Sequence, residues 1–310
     1  MPNIPAFGNP IAAATLLNNE HLVSMLLAYC DVHDIVCFAM STKVNAATAR
    51  KYLACHLCDE ILPFFVNTKQ FFEIMCTCDA VISGSVALHF LPATNQTNWT
   101  PTDLDLYMPK ANVHQLVSLL GDHGYQVVHQ GEVDNSPYTH SNIHTMVSLS
   151  NNSIRKIDVV VSKRVAAAAP IFQFHSTIVM NFVSPSRYFC AYPALTFHGL
   201  SMVNPGPLYV GCRGQNVFSV IPKYQNCGFH YISCSEAHEL NFTCKNMPCT
   251  LTDRWCMWVD TSTLPHVSVF GSDIFEHYSF LDICWVLGGM VCGVQDGYVN
   301  PHIAVIRDAS

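Results

Sequence analysis

Ala80-Val81-Ile82-Ser83-Gly84-Ser85 and Thr102-Asp103-Leu104-Asp105-Leu106-Tyr107 are the two stretches on which the fold turns. In the first, a short apolar strand runs into glycine and serine at the start of a helix expected over residues 85–90. The second alternates as a strand does, with Leu104 and Leu106 on one face and Asp103 and Asp105 on the other. A polar loop rich in Asn and Thr, residues 92–101, joins them. Further on, Val113, Leu116, Val117 and Leu120 form one stripe of a helix over 111–123, which Gly124 closes. Residues 125–129 read as a strand. Residues 144–149 and 154–161 alternate around Ser150-Asn151-Asn152-Ser153, a hairpin turn. The order strand, helix, strand, helix, strand, hairpin implies an α+β core on a mixed sheet.

The chemistry begins with Asp103 and Asp105. Two carboxylates on one strand face repel unless a proton or cation lies between them. Asp158 interrupts the apolar run Ile157-Asp158-Val159-Val160-Val161, where a buried carboxylate is costly without a partner. If its strand pairs near that of Asp103 and Asp105, the three carboxylates meet. Hard divalent cations such as Mg²⁺ take such oxygen ligands together with substrate phosphates. Gly84 lets backbone N–H groups approach an anion at the helix start, and Ser85 adds a hydroxyl donor. Together they suit a phosphate.

This set resembles the nucleotidyltransferase superfamily, in which an apolar strand, Gly-Ser and a helix precede Asp-x-Asp, with a third acidic residue on a later strand. The matching residues are Ile82-Ser83-Gly84-Ser85, Thr102-Asp103-Leu104-Asp105-Leu106 and Lys156-Ile157-Asp158-Val159. The resemblance implies a nucleotidyltransferase-like core using Mg²⁺ or Mn²⁺. Asp103, Asp105 and Asp158 would be both the catalytic residues and the metal ligands. Gly84 and Ser85 would bind the nucleotide, a nucleoside triphosphate whose monophosphate passes to an unknown hydroxyl acceptor. Lys110, Lys163 and Arg164, near strand ends, are candidates for added positive charge.

Upstream, residues 20–57 read as three short helices. Leu22, Met25, Leu26 and Tyr29 lie at helical spacing, then Ile35, Phe38 and Ala39, with Asp31 and Asp34 placed to cap a helix start between them. Residues 46–57 form the third, and 61–76 a further helical run. The chain is similar here to uncharacterised fungal proteins that place an F-box-like helical segment before such a core. That similarity leaves an alternative open: an inactive nucleotidyltransferase-like scaffold that docks a ubiquitin-ligase adaptor through an exposed apolar patch. The expected organisation is a loose arm over 1–15, an F-box-like helical segment over 16–76, the core over 77–184, and an irregular Cys-rich region over 185–310 packing back on it.

Bulk composition narrows the partners. With 15 basic and 22 acidic residues the formal charge is −7, which argues against a general grip on nucleic acid but not against a nucleotide held through metal. The most apolar run, residues 280–294, contains Asp282 and is too short to span a membrane, so it reads as a buried helix. The start lacks a basic region followed by an apolar run, so no secretory signal is read and the chain is expected in the cytoplasm or nucleus. The 15 cysteines are then expected to be mostly buried thiols. Cys55 and Cys58 of Cys55-His56-Leu57-Cys58 fall on a predicted helix, and Cys76-Thr77-Cys78 has the wrong spacing for zinc, so both pairs are expected to be buried thiols. Cys227, His230, Cys234, Cys244, Cys249 and Cys256 form a looser set in which zinc stays an alternative.

Overall fold

The computed structural model describes residues 19–94, 97–132, 142–151, 154–204, 215–240, 248–260 and 283–287. Three helices open it: α1 (Glu20–Leu27), α2 (Val32–Ser41) and α3 (Lys43–Ile61). Each start is capped by a short polar side chain. Asn19 accepts from the amides of His21 and Leu22, Asp31 from that of Asp34, and Thr42 from that of Asn45. The run expected over 61–76 is broken after Ile61 by a turn containing Pro63, and α4 (Thr68–Cys78) begins afresh under an Asn67 cap. Asp79, in the left-handed region at φ 57°, ends α4 and turns the chain into the sheet.

The sheet has eight strands. They are β1 (Val81–Ser83), β2 (Asp103–Pro109), β3 (Gln126–Glu132), β4 (Ile143–Asn151), β5 (Ile154–Ser162), β6 (Asn181–Val183), β7 (Arg187–Cys190) and, after three short strands elsewhere, β11 (Met257–Asp260). Across the sheet the order is β11-β7-β6-β1-β2-β5-β4-β3. β2 and β5 run parallel and every other neighbouring pair antiparallel, so the sheet is mixed. The hairpin of β4 and β5 pairs from Ile143↔Ser162 to Asn151↔Ile154, as the alternation requires. Between β1 and β2 lies α5 (Gly84–His89), and between β2 and β3 lies α6 (Val113–Asp122).

Alternation divides the sheet into two faces. Leu104, Leu106, Ile157 and Val159 join a core with Phe71 and Met75 of α4, Leu116 and Leu120 of α6, and Val23, Leu27, Ile35 and Leu57 of the opening helices. The helical segment therefore shares a core with the sheet rather than standing apart. Val81, Tyr107, Val160 and Phe182 belong to the opposite face, in a second cluster with Phe172, Phe189 and Trp285. The face of Asp103, Asp105 and Asp158 is this second one, because they sit at even spacings from Tyr107 and Val160.

One sheet runs across residue 185. β6 and β7 pair on either side of it, and β11 is drawn from the part read as irregular. Ala166 to Ala169 are buried, and a 3₁₀ turn, Ala169–Gln173, follows them. Later elements are α7 (Pro193–Thr196), β8 (Leu200–Met202), α8 (Gln215–Asn226), β9 (His230–Ile232), α9 (Cys234–Glu239) and β10 (Cys249–Thr250), which pairs with β12 (Cys284–Trp285). At 283–287 the chain is thus extended rather than helical. The rest of the expected helix over 280–294 and the arm over 1–15 lie outside the described residues. No described helix is long and apolar enough to cross a membrane.

Candidate metal and nucleotide site

Register brings the carboxylates together. β2 and β5 are parallel neighbours in which Asp105 lies opposite Asp158 and Asp103 opposite Lys156. On the far sides, Ser83 faces Asp105 and Ser148 faces Asp158. Directly opposed residues share a face, so Ser83, Asp105, Asp158 and Ser148 form one polar row across four strands. Asp103 stands one pleat away on the same face. Ligand oxygens of Asp103, Asp105 and Asp158 all lie within 4.8 Å of one another.

Such proximity has an electrostatic cost. Burial, then the charges of Asp103 and Asp158, push the Asp105 carboxyl up to about 7, while Lys223 and Lys156 oppose the shift. Asp158 is held from both sides. Ser148 Oγ donates to Oδ1 at 2.6 Å, and Lys156 Nζ lies 2.7 Å from Oδ2.

The Gly84-Ser85 corner closes against this row. Gly84 has φ +68°, and a Cβ built there would come to 2.1 Å from Asp105 Oδ2. Glycine is required twice over, by the left-handed backbone and by the carboxylate beside it. Ser83 turns its Oγ away to the Asn181 carbonyl at 2.5 Å. Ser85 Oγ is buried and has no hydrogen-bond partner among the described residues. A buried hydroxyl without a partner is uncommon and calls for an explanation. An anion held at this turn would supply its missing acceptor.

The positive charge comes from residues that the sequence reading did not select. Lys110 and Lys163 follow the C-terminal ends of β2 and β5, while the carboxylates lie toward the N-terminal ends, and Arg164 Nε reaches Asn142 Oδ1 at 3.4 Å. Lys156 and Lys223 are the cations felt by Asp105. Lys223 lies on α8 with Tyr224, whose buried hydroxyl is raised by desolvation first and then by the charges of Asp105, Tyr231 and Asp103. His175 stacks on Tyr224 with centroids 5.6 Å apart, and burial followed by Lys223 pulls its imidazole down to about 4. Ser176 Oγ lies 2.8 Å from His175 Nδ1 and fixes the ring. A helical stripe of Val220, Tyr224 and Cys227 was the available signal for α8, but Pro222 inside the helix obscures it.

The cysteines do not gather in this manner. Among the described residues, Cys55, Cys58, Cys76, Cys78, Cys227, His230, Cys234, Cys249 and Cys256 form no metal-holding group, and Cys244 lies outside the described residues. Cys78 is buried as expected, but Cys55 is exposed on α3. Burial pushes the Cys76 and Cys78 thiols up to about 11, which keeps them protonated and unreactive. Asp31, His33 and Asp34 also approach one another, but Asp31 is spent on capping α2 through the Asp34 amide at 2.8 Å. No protein-family model matches the chain, and no curated protein matches it. The site is therefore read from its own geometry.

Proposed function

We propose that the protein is a metal-dependent nucleotidyltransferase that moves a nucleoside monophosphate from a nucleoside triphosphate onto a hydroxyl acceptor. The observation that carries this reading is the convergence of Asp103, Asp105 and Asp158 beside a left-handed Gly84 and an unpartnered, buried Ser85. Three carboxylates on one sheet face offer hard oxygen donors of the kind that Mg²⁺ or Mn²⁺ takes. Bound by Asp103, Asp105 and Asp158, such a cation would supply charge neutralisation for the phosphates and the departing pyrophosphate. The chain's own groups do the remainder. Gly84 and Ser85 seat the phosphates, and Lys223, whose charge opposes the raised Asp105 carboxyl, is a second anion-binding charge. Asp158, whose Oδ1 accepts from Ser148, is the carboxylate that would help take the proton of the attacking hydroxyl. Asp103→Ala or Asp105→Ala should abolish Mg²⁺-dependent pyrophosphate release from nucleoside triphosphates while the circular dichroism stays that of the parent. A variant as active as the parent would sink the assignment.

One observation favours a second reading. Leu22, Met25 and Leu26 on α1 and Tyr29 in the turn after it are exposed, Tyr29 at 68%, although α1 buries Val23 and Leu27 on its other side. An apolar face of this kind suits a protein partner. It supports an inactive nucleotidyltransferase-like scaffold whose helical segment, F-box-like, docks a ubiquitin-ligase adaptor.

A further inference from the structure

Asp158 has both carboxylate oxygens engaged by its own chain, and its two partners differ in kind. Ser148 lies opposite it on β4 and is buried, so its hydrogen bond to Oδ1 is part of the sheet. Lys156 stands two residues earlier on β5, and its side chain leaves the same face. Its Nζ approaches Oδ2 at 2.7 Å while the lysine side chain is 46% exposed against 10% for Asp158. The serine is fixed. The lysine is a flexible four-carbon stem at the rim with water to move into. Opposite Lys156 in the register is Asp103, so the lysine has a carboxylate residue on its own strand and another on the neighbouring one.

A cluster of three acidic groups needs a positive neighbour to remain folded and ionised. Lys156 supplies one that no metal has to provide. The same contact obstructs a metal, because a divalent cation reaching Oδ2 must displace the ammonium and then tolerate its charge nearby. A triphosphate removes that obstacle by offering the released ammonium an anion.

We propose, resting on the metal-dependent reading above, that Lys156 is a resident counter-cation that yields Asp158 to a divalent metal only when an anionic triphosphate arrives to receive it. Metal and nucleotide then bind as a coupled pair. By linkage, each raises the affinity of the other by the same factor. Lys156 is a positioning residue in this scheme, and the quantity it controls is that coupling rather than the chemical step.

The test is Mn²⁺ binding to the full chain, followed by electron paramagnetic resonance of the free ion, with and without a non-hydrolysable nucleoside triphosphate. The parent should bind Mn²⁺ weakly alone and about tenfold or more tightly with nucleotide, in the usual range of coupling between sites. Lys156→Met should bind Mn²⁺ alone about tenfold more tightly than the parent, with most of the coupling lost. Lys156→Gln provides the same comparison if the methionine variant misfolds, and Lys156→Arg, which keeps the charge, should behave as the parent does. Mn²⁺ affinity in Lys156→Met or Lys156→Gln equal to or below that of the parent overturns the counter-cation role. If the parent nevertheless binds Mn²⁺ and Asp103→Asn does not, the nucleotidyltransferase reading survives. Absence of Mn²⁺ binding in every variant, with nucleotide present, overturns both.

Discussion

Asp105 gives the site its measurable character at the scale of a single residue. Its carboxyl is held near 7 by burial and by two carboxylates within 4.8 Å, against an ordinary value near 4. Between those two values the native protein binds a proton that the unfolded chain has released, so stability falls as pH rises from about 4 to about 7. Asp105→Asn lacks this titration. Without metal it should match the parent near pH 4, gain on it through that window, and be more stable by up to about 4 kcal/mol above pH 7. Urea denaturation at several pH values measures the gap. A parent as stable as the variant at pH 8 would mean that the carboxylates do not repel. Gly84 makes the complementary point, since its φ of +68° and its contact with Asp105 leave no room for any other residue. Its turn brings the backbone against the Asp105 carboxylate, a close approach that only glycine allows.

Elements explain what was legible in the sequence and what was not. β2 and the β4–β5 hairpin could be read because their strands run seven to nine residues, alternate over part of that length, and include carboxylates where apolar residues would otherwise stand. Asp103, Asp105, Asp158, Gly84 and Ser85 were therefore visible before any coordinate. Their convergence was not, because it rests on the parallel pairing of β2 with β5 across an intervening helix and two strands. β6 and β7 were hidden for a different reason. They are three and four residues long, and nearly every side chain in them is buried, so no polar alternation marks them. The same holds for α8, where Pro222 masks the helix that brings Lys223 to the carboxylates. α5 was found as a helix, but its anchoring was not. His89 at its last position lies 2.8 Å from Glu60 Oε2 on α3 and 2.9 Å from the Trp99 carbonyl, which ties the Gly84-Ser85 corner to the opening helices.

At the scale of the whole molecule, the opening helices and the sheet form one core cluster, from Val23 and Leu57 to Leu104 and Val159. A fragment limited to residues 20–57 would expose the face that this core covers, so the adaptor reading is best examined on the full chain. It predicts that the parent retains a purified ubiquitin-ligase adaptor in a pull-down and that Leu26→Glu with Tyr29→Glu releases it. Equal retention by both would discard the α1 patch as a docking face. The carboxylate face makes a separate demand, because α1 contributes none of its ligands. Whether the molecule works as a nucleotidyltransferase is decided at the sheet. The most direct measurement is calorimetry of each nucleoside triphosphate with Mg²⁺ or Mn²⁺, on the parent and on the Asp103→Asn/Asp105→Asn variant. The account predicts binding that requires the metal and disappears in the folded variant. Binding that persists without metal or in the variant, or no binding by a folded parent, would contradict it.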